Sequence, residues 1–474
     1  MSHSGKRLKV LLMKPYSESD ELIPPFGLGY LASAAREKHD VEILDGIKDK
    51  ITPDKFKEIL EQSPYDVIGI QIFTFHIAKV KDYINLIKKI LPKAKIILGG
   101  PHPSSSPYNI FDFFSNIDWA FKGESETGFP RLLDLISQDK TAPEFLIDVP
   151  GLIWRNKDKI EVNNQIFVDN LDEIQMPSWD LIRPDKYPLA PHGGFFRNYP
   201  IAPIVITRGC PFSCTYCAGH LITGKKIRYR SASNVIAEIK ELYNKYNIKE
   251  IHIEDDNFTL NHDLVYEFCG RLKTNNLNIT WTCPNGVRLD TLTKDLLLTM
   301  KDVGLYSISV GIESGSERVL KDMKKNLTKE KIRSGIELIK ECGLEVSGFF
   351  IIGYPSETKE DIMKTINFAI SLDLKRAGFS LFKPFPGTEA EKILKEKGEL
   401  EDMLDEDWGK FVLADAVYAP PGFTKEEMRK LRKIALMRFY FRPRIIWKFV
   451  REIRNFEHLK LISKRTYSWL FQAR

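Results

Sequence analysis

Arg208-Gly209-Cys210-Pro211-Phe212-Ser213-Cys214-Thr215-Tyr216-Cys217 sets the frame for the chain. Three cysteines fall within eight residues, on a loop tightened by Gly209 and Pro211, directly after an apolar strand-like run at 201–207. Thiolates spaced this way are soft ligands that suit zinc or iron–sulfur. Three is the informative number. A structural zinc site and a fully cysteine-ligated four-iron cluster each take four protein ligands, so three leave one iron free to hold something else. The competing reading is a zinc loop closed by a distant His or Cys, with His220 the nearest candidate.

Downstream, residues 201–386 read as six strand-then-helix units, with strand-like runs at 201–207, 250–254, 280–283, 306–312, 346–352 and 378–382. Repeated units of this kind close into a barrel or part-barrel whose site lies at the carboxyl ends of the strands. Polar residues fall at those ends: Glu254-Asp255-Asp256-Asn257 after the second, Gly311-Ile312-Glu313-Ser314-Gly315-Ser316 after the fourth, and Ile352-Gly353-Tyr354-Pro355-Ser356-Glu357 after the fifth. Any one of them alone also reads as a solvated loop. Arg318 and Lys325 could neutralise the carboxylate of a bound ligand, but on a charged helix and the loop behind it they read more readily as solvent-facing.

Upstream, residues 8–140 alternate apolar runs (8–13, 41–44, 67–71, 95–98, 119–121) with helix-spaced segments such as Ile77, Val80, Ile84, Ile87 and Leu91. That alternation predicts a doubly wound parallel sheet, with ligands taken outside the carboxyl ends of the strands. The loops there are rich in small residues: Pro24-Pro25-Phe26-Gly27-Leu28-Gly29-Tyr30, Gly99-Gly100-Pro101-His102-Pro103 and Lys122-Gly123-Glu124-Ser125-Glu126. A doubly wound module that binds nothing is the plain alternative. Residues 141–200 read as a connector in which 152–155 and 160–163 form a small hairpin, after which Pro177, Pro184, Pro188, Pro191 and Pro200 forbid long helices.

The cysteine spacing, with an aromatic residue before the last cysteine, resembles the radical S-adenosylmethionine (SAM) superfamily. The resemblance implies that Cys210, Cys214 and Cys217 hold a [4Fe–4S] cluster whose free iron chelates SAM, and that Tyr216 lies beside the adenine. It implies that Glu254, Asp255 and Asp256 receive the SAM ammonium, that Glu313 and Ser314 meet the ribose and carboxylate, and that the strand at Ile352 and Gly353 contacts the adenine. The upstream loops, placed ahead of the cysteine loop, look like the cobalamin-binding domain of one branch of that superfamily, the class B-type radical methylases. Phe26, Gln71, Phe73, Thr74, Gly99, Gly100, His102, Gly123 and Glu124 are then the implied cobalamin contacts. The Asp-x-His-x-x-Gly signature that supplies an axial histidine is absent, so no protein histidine is expected on cobalt, and His76 and His102 read as hydrogen-bonded loop residues.

The expected fold is α/β: a Rossmann-like cobalamin-binding domain (1–145), a linker (146–198), a partial (β/α)6 TIM-type radical SAM core (199–395) and a helical, basic C-terminal region (396–474). The resemblance implies a 5′-deoxyadenosyl radical, made with electrons from a donor such as flavodoxin or ferredoxin. By frequency in the branch, it implies methylation at an unactivated carbon or at phosphorus; the expectation of a small or lipid-like substrate rests on the basic, apolar tail alone. A radical cyclase using the same cofactors is the rival within the class, and a non-catalytic corrinoid carrier or sensor the rival outside it. A tRNA methylthiotransferase is disfavoured because the N-terminal domain has no cysteine for a second cluster.

At 43% hydrophobic and 28% charged, the 474 residues have an ordinary globular balance. Six cysteines in such a length do not make a disulfide framework; Cys269, Cys283 and Cys342 read as buried apolar residues in a reducing compartment. No apolar run approaches the roughly 18 residues that span a bilayer, and the polar, basic start does not read as a signal peptide. The net charge of +6 is concentrated: residues 425–474 hold fifteen Lys or Arg against four Asp or Glu, a surplus of 11, which leaves −5 for the rest. Ile445, Ile446, Phe449, Val450, Ile453 and Phe456 recur there at helical spacing among Lys448, Arg451 and Arg454. The expectation is a cytoplasmic protein with peripheral contact at the inner face of the membrane, the bland alternative being a stripe packed on the protein body. No RNA-binding module is recognisable, which disfavours nucleic acid.

Overall fold

The computed structural model describes residues 5–17, 22–188, 196–400, 408–412 and 415–453, with 456, 459, 460 and 463 beyond them. Two units divide the chain: 1–191, 218–230 and 403–409 in the first, 192–217, 231–402 and 410–474 in the second.

The first unit is built on β1 (Lys9–Lys14), β2 (Asp40–Asp45), β3 (Val67–Gln71), β4 (Lys95–Gly99) and β5 (Trp119–Phe121), all parallel, in the order β2-β1-β3-β4-β5. Near-continuous apolar strands are what a sheet covered on both faces requires. Leu11, Met13, Ile68, Ile70, Ile96 and Leu98 pack on one face against the helices Pro53–Gln62 and Ile77–Ile90. Val10, Leu12, Val67 and Ile97 pack on the other against Phe26–Ala35 and Gly128–Ser137. The strand order reverses at β1/β3, and in such sheets the ligand crevice opens at that switch.

The expected linker is largely part of this unit. β6 (Leu152–Asn156) and β7 (Lys159–Val162) form the anticipated hairpin, but β6 also pairs antiparallel with β5 and extends the sheet to seven strands. Further on, Arg36 forms a two-pronged pair with Asp180, and the Tyr187 hydroxyl donates to Asp45 at 2.6 Å. Prolines exclude long helices from 177–188 but not docking, so the expected boundary at 145/146 falls inside a packed unit.

In the second unit β8 (Ile201–Ile204) precedes two short strands, β9 (Thr207–Arg208) and β10 (Arg228–Tyr229), the latter in a segment that belongs to the first unit. The main sheet continues with β11 (Glu250–Ile253), β12 (Thr280–Val287), β13 (Leu305–Glu313), β14 (Glu345–Ile352) and β15 (Arg376–Leu381). All six strands are parallel in the order β15-β14-β13-β12-β11-β8, so the sheet is an open part-barrel with β8 and β15 as its edges. The intervening helices start where the sequence supplies caps: Ser231, Thr293, Thr328, Thr358 and Thr388 each accept a hydrogen bond from the first turn. The helix Lys425–Tyr440 lies against β15, with Arg432 donating to the Phe379 carbonyl and the Tyr440 hydroxyl to that of Ala377. Among the described residues no helix is long and apolar enough to cross a membrane.

The two ends of the part-barrel differ in kind. At the amino ends, fully buried Glu250 accepts from His252 Nε2, the Tyr306 and Thr280 hydroxyls and the Arg197 and Asn198 amides, all within 2.9 Å. Burial opposes the charge on Glu250, but His252 and these donors hold its pKa below the ordinary value. Every acceptor site there is in use, as expected of the stabilising end.

Candidate active site

At the carboxyl ends the cysteine loop is pinned at its centre and open at its ligands. The Thr215 amide donates to the Met323 carbonyl, its carbonyl accepts from Ala390, and its hydroxyl lies 2.8 Å from that of Tyr354. Arg288, paired with Asp290, stacks its guanidinium 3.7 Å above the Phe212 ring. Gly209 takes φ +97°, a turn that glycine accepts freely. Cys210 and Cys214 are half-buried, Cys217 is exposed, and none of the three is in a disulfide. Burial pushes the Cys210 thiol up. A single zinc at about 2.3 Å from each sulfur would draw its ligands to one point. Three soft thiolate donors on one loop are a donor set that an iron–sulfur cluster accepts.

Glu254, Asp255 and Asp256 do not act as one acidic patch. Asp255 is turned inward, 3% exposed, and its two oxygens accept from the Ile206 and Thr207 amides at 2.7 and 2.9 Å. It clamps the chain as it enters the cysteine loop, and burial raises its pKa to about 7. Glu254 is half-buried and Asp256 exposed. Beside them Asn257 Oδ1 is buried with no hydrogen-bond partner among the described residues, an acceptor that bound SAM is able to satisfy.

Glu313 ends β13 in the left-handed region, φ +64°, where the strand pairing shifts register, an uncommon place for a non-glycine residue and one often found at functional sites. Lys325 was expected at the surface; the structure buries it (8% exposed) and sets its Nζ 2.9 Å from Glu313 Oε1. Burial alone lowers the Lys325 pKa, yet Glu313 and the neighbouring Cys214 carry it above its ordinary value. Tyr216, half-buried beside Glu313, has its phenol pushed up by burial and by that carboxylate. A Cβ on Gly311 would sit 2.4 Å from Glu313 Oε1 and 2.8 Å from Lys325 Nζ. Gly311→Ala is therefore expected to cost about 1–3 kcal/mol in a denaturant titration, by forcing the pair apart. An unchanged midpoint would mean that the pair is not held as described.

Two implied SAM contacts have other partners. Ser314, fully buried, places its hydroxyl 3.0 Å from that of Thr365 and accepts from the Ser316 amide. Ile352 points outward into the core, and its carbonyl accepts from Phe382. Ile351, one residue earlier, is the half-exposed one. Gly353 (φ +84°) opens a turn in which Glu357, 3% exposed, accepts from the Gly353 and Tyr354 amides. Arg318 is half-exposed, as expected, and donates to the Ser356 carbonyl and Asp361.

A wall that the motifs did not announce completes the concave side. Along β13 to β15, Ser309, Gly311, Ser347, Ile351, Gly378 and Ser380 are half-exposed while their alternating neighbours are buried. Phe349, 38% exposed, stands over this wall against the open faces of Gly286 and Gly378. Strand alternation carried the signal, blurred by the glycines and serines on one face.

In the first unit four loops meet at the carboxyl edge. Gln71 lies beside Gly27 and Gly100, half-exposed Phe26 starts its helix, Thr74 Oγ1 is 3.3 Å from His102 Nδ1, and the Gly123 amide donates to Ser104. A Cβ on Gly100, φ +103°, would meet the Ile72 carbonyl at 3.0 Å, so the chain there stays flat and close to β3. Gln71, Phe73, Gly99 and Gly100 remain half-exposed, a shallow floor of the kind a corrin ring requires. Glu124 is engaged elsewhere: both of its oxygens receive the buried Arg228 guanidinium. His102 is enclosed by Phe113 and Trp408.

Burial lowers His76 to about 3 and His102 to about 4, so both are neutral in the fold, and neither Nε2 has a partner among the described residues. A depressed histidine contributes stability that is present above pH 6.5 and is lost as pH falls through the folded value. The apoprotein's first unit is expected to lose roughly 3–5 kcal/mol per histidine between neutral pH and pH about 3. Asp255, at about 7, and Glu357, at about 8, act in the opposite sense in the second unit: their contribution is full at low pH and lost as pH rises through those values. Melting curves at a series of pH values should show the first unit yielding first in acid; a His76→Gln, His102→Gln variant should flatten that dependence.

Comparison with known proteins agrees with this geometry. Residues 204–369 match the Radical SAM superfamily and residues 17–133 the B12 binding domain. The chain is 33% identical over 475 residues to an uncharacterized methyltransferase of Pyrococcus horikoshii, covering 99% of each. It is 28% identical to the cytidylyl-2-hydroxyethylphosphonate methyltransferase of Streptomyces wedmorensis, covering 80% of each. Its fold resembles that of OxsB, a cobalamin-dependent SAM radical enzyme solved with aqua-cobalamin and SAM bound, with a TM-score of 0.76 at 17% identity over 98% of this chain and 71% of that one. A part-barrel with three clustered cysteines at its carboxyl end, in one chain with a B12-type doubly wound unit and a 33% identical relative along its whole length, places this protein in the cobalamin-dependent branch of the radical S-adenosylmethionine superfamily.

Proposed function

We propose that the protein is a radical methylase acting on a small molecule, and that the cysteine loop, pinned at Thr215 and open at Cys210, Cys214 and Cys217, is its reactive centre. That loop is the observation that carries the reading. When bound, cluster and SAM supply a 5′-deoxyadenosyl radical, and cobalamin supplies the methyl group.

The chain's own residues bind and orient. Cys210, Cys214 and Cys217 ligate three irons; Glu254 and Asn257 receive the SAM ammonium; Lys325 meets its carboxylate; Glu313 and Tyr216 border the nucleoside. Ser314, Asp255 and Glu357 hold the loops that present these groups. The wall of Ser309, Ser347, Phe349 and Ser380 receives the substrate, whose reacting carbon or phosphorus it must hold close to the radical and away from water. In the first unit Phe26, Gln71, Phe73, Gly99 and Gly100 support the corrin. Electrons come singly from a small donor such as flavodoxin or ferredoxin.

The test is anaerobic reconstitution with iron, sulfide and cobalamin, followed by SAM and a reductant. Formation of 5′-deoxyadenosine is expected, and its absence from a protein with full cluster absorption removes the enzyme reading. SAM labelled in its methyl group, supplied with a cell extract of small molecules, should then leave label in one product. Deoxyadenosine with an unlabelled, ring-closed product would identify a cyclase instead.

A further inference from the structure

The helix Lys425–Tyr440 has two apolar faces, and among the described residues only one is covered. Met428, Leu431, Ala435, Leu436 and Phe439 are buried, with Phe439 meeting Phe379 of β15 edge to face. Ile434, Met437 and Phe441, spaced i, i+3, i+7 and so aligned on the opposite side, are 41, 43 and 59% exposed. The next helix, Pro443–Glu452, repeats the arrangement: Ile445 is buried, while Ile446 and Trp447 are 45 and 58% exposed. Five large apolar side chains thus stand in solvent within fourteen residues, where isolated ones are ordinary but a continuous stripe marks a contact surface. The side chains of Phe449 and Val450 lie outside the described residues.

Charge identifies the occupant. Residues 428–451 contain nine Lys or Arg and no Asp or Glu. Arg432 and Arg442 are buried or half-buried and donate to main-chain carbonyls, and Arg429 pairs with Asp415; Lys430, Lys433, Arg438 and Arg444 are exposed around the apolar stripe, Arg438 reaching Asn367 and Arg444 pairing at the surface with Asp373. A second copy of the chain fits this surface poorly, because a two-fold interface would set the cations against themselves. A nucleic acid would satisfy the cations but not the aliphatic Ile434, Met437 and Ile446. An anionic bilayer satisfies both: phosphates meet the ring of Lys and Arg, the apolar stripe enters the acyl boundary, and Trp447 sits at headgroup depth, the level that tryptophan prefers. We propose that the outer face of these two helices docks the protein on an anionic membrane surface.

The test uses the reconstituted holoenzyme in co-sedimentation with vesicles of phosphatidylglycerol and phosphatidylcholine, and with phosphatidylcholine alone. Binding to the anionic vesicles is expected to be at least about tenfold stronger and to weaken with salt. The variant Met437→Glu, Trp447→Glu should lose at least about tenfold of that binding while its circular dichroism and deoxyadenosine formation match the native protein. Light scattering gives the mass of both proteins in the absence of lipid, and a single-stranded RNA is offered as competitor. Four results would overturn the proposal: no binding to either vesicle, equal binding to both, undiminished binding by the variant, or a native dimer or an RNA complex that the variant abolishes while lipid binding is absent. Because folding and radical formation are read separately, a failure here is distinct from a failure of the methylase reading.

Discussion

Alanine at any one of Cys210, Cys214 or Cys217 is expected to lower 5′-deoxyadenosine formation by at least about a thousandfold, to background, because a cluster tied at two corners is neither retained nor held at a working potential. The fold should survive. The loop is fixed through Thr215 and Arg288, and the three thiols are half-buried or exposed. Their removal should therefore cost about 1 kcal/mol or less, in the range of ordinary surface substitutions. The control is the opposite set. Cys269, Cys283 and Cys342 are buried, and alanine there should move the melting midpoint while leaving deoxyadenosine formation intact. A variant lacking Cys214 that still shows cluster absorption and still cleaves SAM would remove the ligand assignment.

What the chain disclosed of itself follows from how far apart cooperating residues lie. The cysteine loop was readable because its chemistry is contained in eight consecutive residues, and the strands because apolar runs are local. The order of strands and helices along the part-barrel was readable to within a few residues, and several of the helices begin at a Ser or Thr whose hydroxyl accepts from the amide three residues on. Side-chain direction was less readable. Glu254 and Asp255 differ by one position and face opposite ways, and so do Ile351 and Ile352; a run of polar or of apolar residues at a strand end does not say which of two neighbours turns inward. Partnerships across the sequence could not be read at all. Lys325 is hidden by an acid twelve residues away, Glu124 is occupied by an arginine 104 positions on, and the 152–162 hairpin finds its place only beside β5. The helix Lys425–Tyr440 hides its message differently, since apolar residues on both faces leave little periodicity to detect.

The second large effect is expected at Lys325, and it separates support of the fold from binding of the ligand. In Lys325→Met the Glu313 carboxylate, 7% exposed and held at φ +64°, loses the cation 2.9 Å away and keeps the Tyr216 hydroxyl beside it. Breaking a buried pair on one side costs about 3–5 kcal/mol, because the remaining charge stays desolvated. Adding Glu313→Gln should return most of that, since a neutral amide asks far less of its surroundings. Affinity for SAM should not return with it. If Lys325 meets the SAM carboxylate, both the single and the double variant bind SAM about ten- to a hundredfold more weakly, each tenfold being 1.4 kcal/mol. Equilibrium dialysis with labelled SAM, set beside denaturant titrations of the native protein, the two single variants and the double variant, reads the two effects independently. A double variant that regains native SAM affinity along with stability would reduce Lys325 to a strut for Glu313, whereas stability restored with affinity still lost assigns the ammonium to the cofactor.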